Sequence, residues 1–239
     1  MARFGGWQKT GGPFDDPVAL AITADGSALA VLDSGLKAVV RFALDGNRSK
    51  PVVFGQPGTN AGQFKRTTAV AMDNAGRTYV LDNKLKRVQA FDAQGSCLFA
   101  FGRYENGKAP DEIGDPTALA VSPTGDTAFI FDGDTYEVKK FAIDGSKATH
   151  VGNTGGKGDG PGQFRDAIVL AVDRRGLLYA WDGSRNDLQI LDFHGTNAVA
   201  GTPRTLKDLN IDRVDFGSVS PDGQIHLGGK GTVKAWAWK

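Results

Sequence analysis

The stretch Phe14-Asp15-Asp16-Pro17-Val18-Ala19-Leu20-Ala21 returns later in the chain as Ile113-Gly114-Asp115-Pro116-Thr117-Ala118-Leu119-Ala120. Looser copies open at Phe64, Phe164 and Ile211, so the five markers lie 50, 49, 51 and 47 residues apart. A period near 49 in a chain of 239 residues with 33 glycines and no long helical pattern marks a repeat architecture, a propeller or a solenoid.

Each copy divides into the same four short segments. An apolar run (Ala19 to Ile22, Ala69 to Met72, Ala118 to Val121, Val169 to Val172 and, more weakly, Phe216 to Val219) is too short for a helix and ends at a glycine turn. The second segment ends in Asp33, Asp82, Asp132 or Asp182, with Gly229 at the fifth place. A third alternates with period two, as in Arg87-Val88-Gln89-Ala90-Phe91, and passes through turns such as Asp45-Gly46 and Asp144-Gly145. The fourth ends Phe54-Gly55, Phe101-Gly102, Val151-Gly152 or Ala200-Gly201. Four antiparallel strands per repeat make a propeller blade.

Phe-x-x-Pro, a small apolar run, Asp-Gly, a strand ending in Asp, then Phe-Gly and a Gly-rich stretch closing with Gly62-Gln63-Phe64 or Gly162-Gln163-Phe164 resemble NHL repeats over essentially the whole chain. That resemblance implies an all-β propeller and leaves function open, since the family contains binding modules and a few enzymes. Asp33-Ser34-Gly35-Leu36-Lys37 and its counterparts lack the Asn-Arg pair usual there.

The expected blades are 14–63, 64–112, 113–163, 164–210 and 211–239 joined with 1–13, in a single domain. The last unit has three strands, and Ala2-Arg3-Phe4-Gly5-Gly6 followed by Gly11-Gly12-Pro13-Phe14 matches the missing fourth strand and inter-blade loop. A five-bladed ring closed by that N-terminal strand follows, with a six-bladed or incomplete ring as the rival, the six-bladed form being the commoner among NHL propellers.

The charge balance of 28 basic and 27 acidic residues gives no excess for nucleic acid, which is not an expected partner. No stretch reaches the length of a membrane span, no secretory signal opens the chain, and the single Cys97 makes no internal disulfide, so a soluble chain, cytoplasmic or carried in an assembly, is expected. His150, His194 and His226 fall in unrelated positions of the repeat, and no catalytic residue is assigned.

The column before each first strand reads Asp16, Arg66, Asp115, Asp166 and Arg213 and belongs at the mouth of the central channel. Three carboxylates and two guanidinium groups there either hold a polar ligand or a hard cation such as calcium, or neutralise one another as ion pairs. A mouth plugged by such pairs or simply solvated is the preferred expectation, and no cofactor is assigned. The inter-blade connectors, with Arg103, Tyr104, Lys108, Lys157 and Arg204, form the face expected to meet a protein partner or another copy of the chain. A non-catalytic interaction or scaffold module is the leading reading; a metal-assisted hydrolase or lyase at the mouth and a carbohydrate-binding ring are the alternatives.

Overall fold

Inner strands of this ring have to pass close to one axis, and the sequence meets that crowding by giving each of them one small face and one large face. The computed structural model describes residues 14–46, 50–106, 109–193, 199–200, 204–205, 216–219, 224–229 and 232–237, and all its regular structure is β. The first blade is Pro17–Ile22, Ala28–Asp33, Ala38–Ala43 and Val52–Phe54, antiparallel in sequence order. Thr67–Met72, Thr78–Asp82, Arg87–Phe91 and Cys97–Phe101 form the second. The third is Pro116–Val121, Thr127–Asp132, Glu137–Asp144 and Lys147–Gly155. In the fourth, Ala167–Val172, Leu177–Asp182 and Asp187–Asp192 are edged by Val199–Ala200 and Arg204–Thr205, both paired with the third strand.

A further sheet, Phe216–Val219, Gln224–Gly229 and Thr232–Ala237, has three strands. The described residues therefore hold four antiparallel blades in a propeller-like ring, three of four strands and one of five, where five blades were expected. The N-terminal strand expected to complete the fifth lies in residues 1–13, outside the described residues.

Successive inner strands pack side by side from the first blade to the last sheet. Alternate side chains of a strand face opposite ways, so Ala19 and Ala21 meet Val70 and Met72, Ala69 and Ala71 meet Leu119 and Val121, and Ala118 and Ala120 meet Leu170 and Val172. Alanine on one side leaves room for a branched or long side chain on the other, which lets neighbouring strands converge without a void. Each inner strand also carries a bulge at its second residue, between Pro17 and Ala19, Thr67 and Ala69, Pro116 and Ala118, and Ala167 and Val169. The strands start two residues earlier than the apolar runs, at Pro17, Thr67, Pro116 and Ala167; proline is tolerated at the first position of a strand.

The markers fill the seams: Phe64, Ile113 and Phe164 are fully buried. Each presses on the glycine that ends the preceding fourth strand. A Cβ added to Gly55 would lie 2.4 Å from the Phe64 ring, and one on Gly102 2.6 Å from Ile113, while both glycines hold positive φ. This pairing is the physical content of the Phe-Gly and Gly-Gln-Phe motifs. In the third blade the equivalent glycine is Gly155, opposite Glu137, and not the Gly152 of the sequence reading. A tight turn at Asp144–Lys147 lets that hairpin continue to Thr154 and Gly155.

Candidate functional site at the channel mouth and the connector face

The aspartate that closes every second strand organises the mouth. Asp82 accepts backbone N–H groups from Lys65 (2.6 Å), Arg66 (3.1 Å), Lys84 (3.0 Å) and Leu85 (3.0 Å). Asp33 does the same for Asp15, Asp16 and Leu36, and Asp182 for Arg165, Asp166, Ser184 and Arg185. One carboxylate thus ties the entry of the inner strand to the turn after the second strand. Burial raises the pKa of Asp33, but hydrogen bonds from Leu36, Asp16, Asp15 and Gly35 outweigh it and hold the carboxyl below its ordinary value of 3.8. These bonds make the column a set of turns held by an aspartate side chain. The turns place Lys37, Lys86, Tyr136 and Asn186 at φ of 54, 54, 59 and 55°, a left-handed position that costs a non-glycine residue and is sustained by those bonds.

With its backbone held, each mouth residue projects at the start of an inner strand. Ser34 donates to Asp16 (2.6 Å), and the Asn83 side-chain amide donates to Asp115 (2.8 Å) and accepts from Arg66. Asp166 makes no side-chain hydrogen bond or ion pair among the described residues. No ion pair joins Arg66 to Asp16, Asp115 or Asp166 among the described residues; Asn83 bridges Arg66 and Asp115. Arg213 lies outside the described residues. No set of three His, Cys, Asp or Glu side chains that could hold a metal occurs among the described residues.

Burial, then the charges of Asp182 and Asp115, push the Asp166 carboxyl above its ordinary value of 3.8. A raised acid is more costly to ionise in the folded protein than in the unfolded chain, so stability is lost as pH rises from the ordinary value through the raised one. Asp166→Asn is therefore expected to raise the thermal midpoint at pH 7 and to leave it unchanged at pH 3, where the acid is protonated in both states. Midpoints followed by circular dichroism at the two pH values check this, and equal gains at both would contradict it.

The connectors rise beside this mouth, and two of them are clamped alike. Gln63 accepts from the Asn60 N–H and Gln163 from the Gly160 N–H (3.1 and 3.0 Å). Buried Gln89 accepts from Gly62 (2.9 Å) and donates to the Gln63 carbonyl (2.9 Å), and Gln189 repeats both contacts with Gly162 and Gln163 (2.7 Å each). Arg87 and Arg185 donate to carbonyls of the same loops. Short parallel pairings close all three described connectors.

The remaining connector, 103–112, has charged residues in place of the two glutamines. Lys139, 2% exposed, stands where the other blades have Gln89 and Gln189; its ammonium lies 3.4 Å from the Pro110 carbonyl and 3.5 Å from Asp132. Glu112, 3% exposed, stands where they have Gln63 and Gln163 and accepts from the Asn106 N–H. Arg103 holds Asp111 through two nitrogens (2.9 and 3.2 Å) and lies 2.7 Å from Glu105. A cleft of about 540 Å³ opens beside it, with Pro110, Asp111, Phe141 and His150 in its wall.

Tyr104 is 48% exposed, and Lys157 sits over the Tyr136 ring at 5.0 Å. Arg103 and Lys157 have partners within the fold, and they, like Tyr104, are exposed. Lys108 lies outside the described residues, and Arg204 belongs to a described strand.

Sequence reading passed over a second buried column at the far end of the inner strands. Asp73 accepts from the Arg77 backbone and guanidinium and from the Tyr79 hydroxyl (3.0 Å); Asp173 repeats this with Arg175, Leu177 and Tyr179. Arg77 also donates to the Gly125 carbonyl of the next blade at 2.9 Å, strapping two blades together. Burial, then the Asp73 charge, push the Tyr79 hydroxyl well above the phenol range. The six-residue spacing from Asp73 to Tyr79 and from Asp173 to Tyr179 was the available signal.

No protein-family profile matches the chain, and no curated protein matches it. Among solved structures 879 chains are similar, a breadth that identifies an architecture and no single activity. One is a chain in the crystal structure of a nidogen/laminin complex, similar at a TM-score of 0.61 and 14% identity over 92% of this chain and 75% of that one. No helix among the described residues is long and apolar enough to cross a membrane. Strand order, seam packing and this likeness agree on one architecture, and the protein is a β-propeller.

Proposed function

We propose that this β-propeller is a non-catalytic interaction module of the NHL type, binding a protein partner through its connector face with 103–112 as the principal contact. One observation carries the reading. Where the neighbouring connectors share a glutamine clamp, this one uses Glu112 and Lys139 in its place and adds the Arg103–Asp111 pair, and the exposed Tyr104 follows Arg103, which lines a cleft of about 540 Å³. An exposed aromatic next to a concavity, on a rigidly supported loop, is the usual anchor of a protein interface. The similar chain in a nidogen/laminin complex is itself part of a protein assembly, which accords with the reading.

The test is affinity capture from an extract of the organism that makes the protein. A partner held by the intact chain is expected to be lost when 104–111 is replaced by glycine and serine, and kept when 57–62 is replaced. Equal capture by both variants would overturn the assignment of the face.

The same proposal includes a five-bladed ring closed by residues 1–13 against the sheet Phe216–Val219, Gln224–Gly229 and Thr232–Ala237. Val70, Met72, Leu119, Val121, Leu170 and Val172 are each at most 8% exposed because a preceding blade covers them. Their counterparts on the first blade, Leu20 and Ile22, are 69% and 53% exposed, and Val18 is 46% exposed. A completed fifth blade is the element that the repeat would set against them.

A further inference from the structure

We propose that the cleft between the third and fourth blades, on the face opposite the connectors, is a binding site for a small aromatic carboxylic acid, its carboxylate at Lys140 and Arg174. The cleft measures about 530 Å³, with Thr127, Phe129 and Lys140 of the third blade and Arg174, Gly176 and Phe193 of the fourth in its wall. That volume falls within the range of small-molecule sites. Comparison of the three described seams shows how it arises. A Cβ added to the turn glycine Gly76 would lie 3.3 Å from an Arg41 nitrogen, and one on Gly125 would run into Arg77 and Asp73, whereas one on Gly176 would meet nothing within 4 Å. An arginine of the preceding blade thus fills each of the first two seams at the point where the third is open. Thr127 is the cause, since it stands where the second blade has Arg77; each closes the first turn by accepting the N–H of Ser122 or Asp73 on its carbonyl. Lys140, paired with Phe129, occupies the place of Ala90 in the second blade and Arg41 in the first, and it crosses the seam as a single ammonium, 3.4 Å from the Phe193 carbonyl.

The engaged and unengaged charges in the wall decide the sign of the ligand. Three carboxylates line the cleft, and the chain already uses them. Asp126 accepts from the Ser122 hydroxyl (2.7 Å), buried Asp173 accepts from Arg175 and the Tyr179 hydroxyl, and Asp192 has a partner within the chain. The cations are less well provided for. Lys140 has three ammonium hydrogens and one acceptor among the described residues, the Phe193 carbonyl, and exposed Arg174 makes no hydrogen bond or ion pair among them. Donors without acceptors select an anion over a cation. Phe129 and Phe193, with ring centroids 5.0 Å apart, supply an apolar floor beside them that suits an aromatic body.

The experiment is isothermal titration calorimetry of the full chain with phenylpropionate, phenylpropanol, phenylpropylamine and propionate. Phenylpropionate is expected to bind at least about tenfold tighter than phenylpropanol, with the amine weaker still. Lys140→Met, which keeps the length of the side chain and removes its charge, is expected to abolish most of the preference for the acid over the alcohol. Thr127→Arg rebuilds in the third seam the arrangement of Arg77 in the second, and it is expected to weaken acid and alcohol alike at least about tenfold, with circular dichroism confirming that the variant folds. No heat with phenylpropionate, equal or tighter binding of the alcohol or the amine on the wild-type chain, or indifference to either substitution would overturn the proposal. Propionate mimics an acidic side chain, so its binding as tightly as phenylpropionate would overturn the aromatic assignment in favour of a partner's carboxylate.

Discussion

Asp82→Ala is expected to destabilise the protein by about 3–4 kcal/mol, because four backbone N–H groups lose their shared acceptor at a fully buried site. For a chain of this length that is a fall of roughly 10 °C in the thermal midpoint. Asp82→Asn separates charge from acceptor geometry. Its one carbonyl oxygen can keep the bonds from Arg66, Lys84 and Leu85, which all reach Oδ1, while the Lys65 N–H, which reaches Oδ2, loses its acceptor. The asparagine variant is expected to retain about half of the lost stability. Urea titrations of the three proteins check the order, and an alanine variant as stable as the wild type would refute the view that this column sets the blade. Because the same carboxylate fixes the Arg66 backbone, the alanine change also disturbs the mouth from one side.

Removal of residues 1–13 is expected to have an effect of similar size. If those residues complete the fifth blade, their loss leaves an open sheet edge and removes the closure that would set that blade against Val18, Leu20 and Ile22, which are 46%, 69% and 53% exposed. Burial of such side chains is worth about 1.5–3 kcal/mol each, so the truncated chain is expected to melt at least roughly 10 °C lower. A peptide of residues 1–13 added back should restore part of that loss in a concentration-dependent manner. A truncated chain with an unchanged midpoint would refute closure of the ring by this segment.

The repeat was legible in the sequence because its signals are local. A two-residue turn, a period-two strand and a run of four apolar residues each report on neighbours in the chain, and Arg87 to Phe91 was placed to the residue. Where a boundary depended on tertiary pairing it moved, from Gly152 after Val151 to Gly155, whose role is set by the Phe164 ring of the next blade. The mouth shows the same division. Placement of Asp16, Arg66, Asp115 and Asp166 in one column followed from the repeat, but their partners did not, because Asn83 reaches Asp115 across 32 positions in sequence. Lys139 and Glu112 were invisible as a substitution for a glutamine clamp until Gln63, Gln89, Gln163 and Gln189 were seen holding the other two connectors.

The sequence alone determined that this chain is a ring-forming all-β repeat, since hydrophobic period, turn glycines and the recurring aspartate depend only on chain geometry and backbone hydrogen bonding. Only the tertiary structure decided which charged groups are spent on holding loops and which stand unpartnered at the axis. Those outcomes depend on distances between blades, and residues about fifty positions apart meet in the seams whatever lies beside them in the chain.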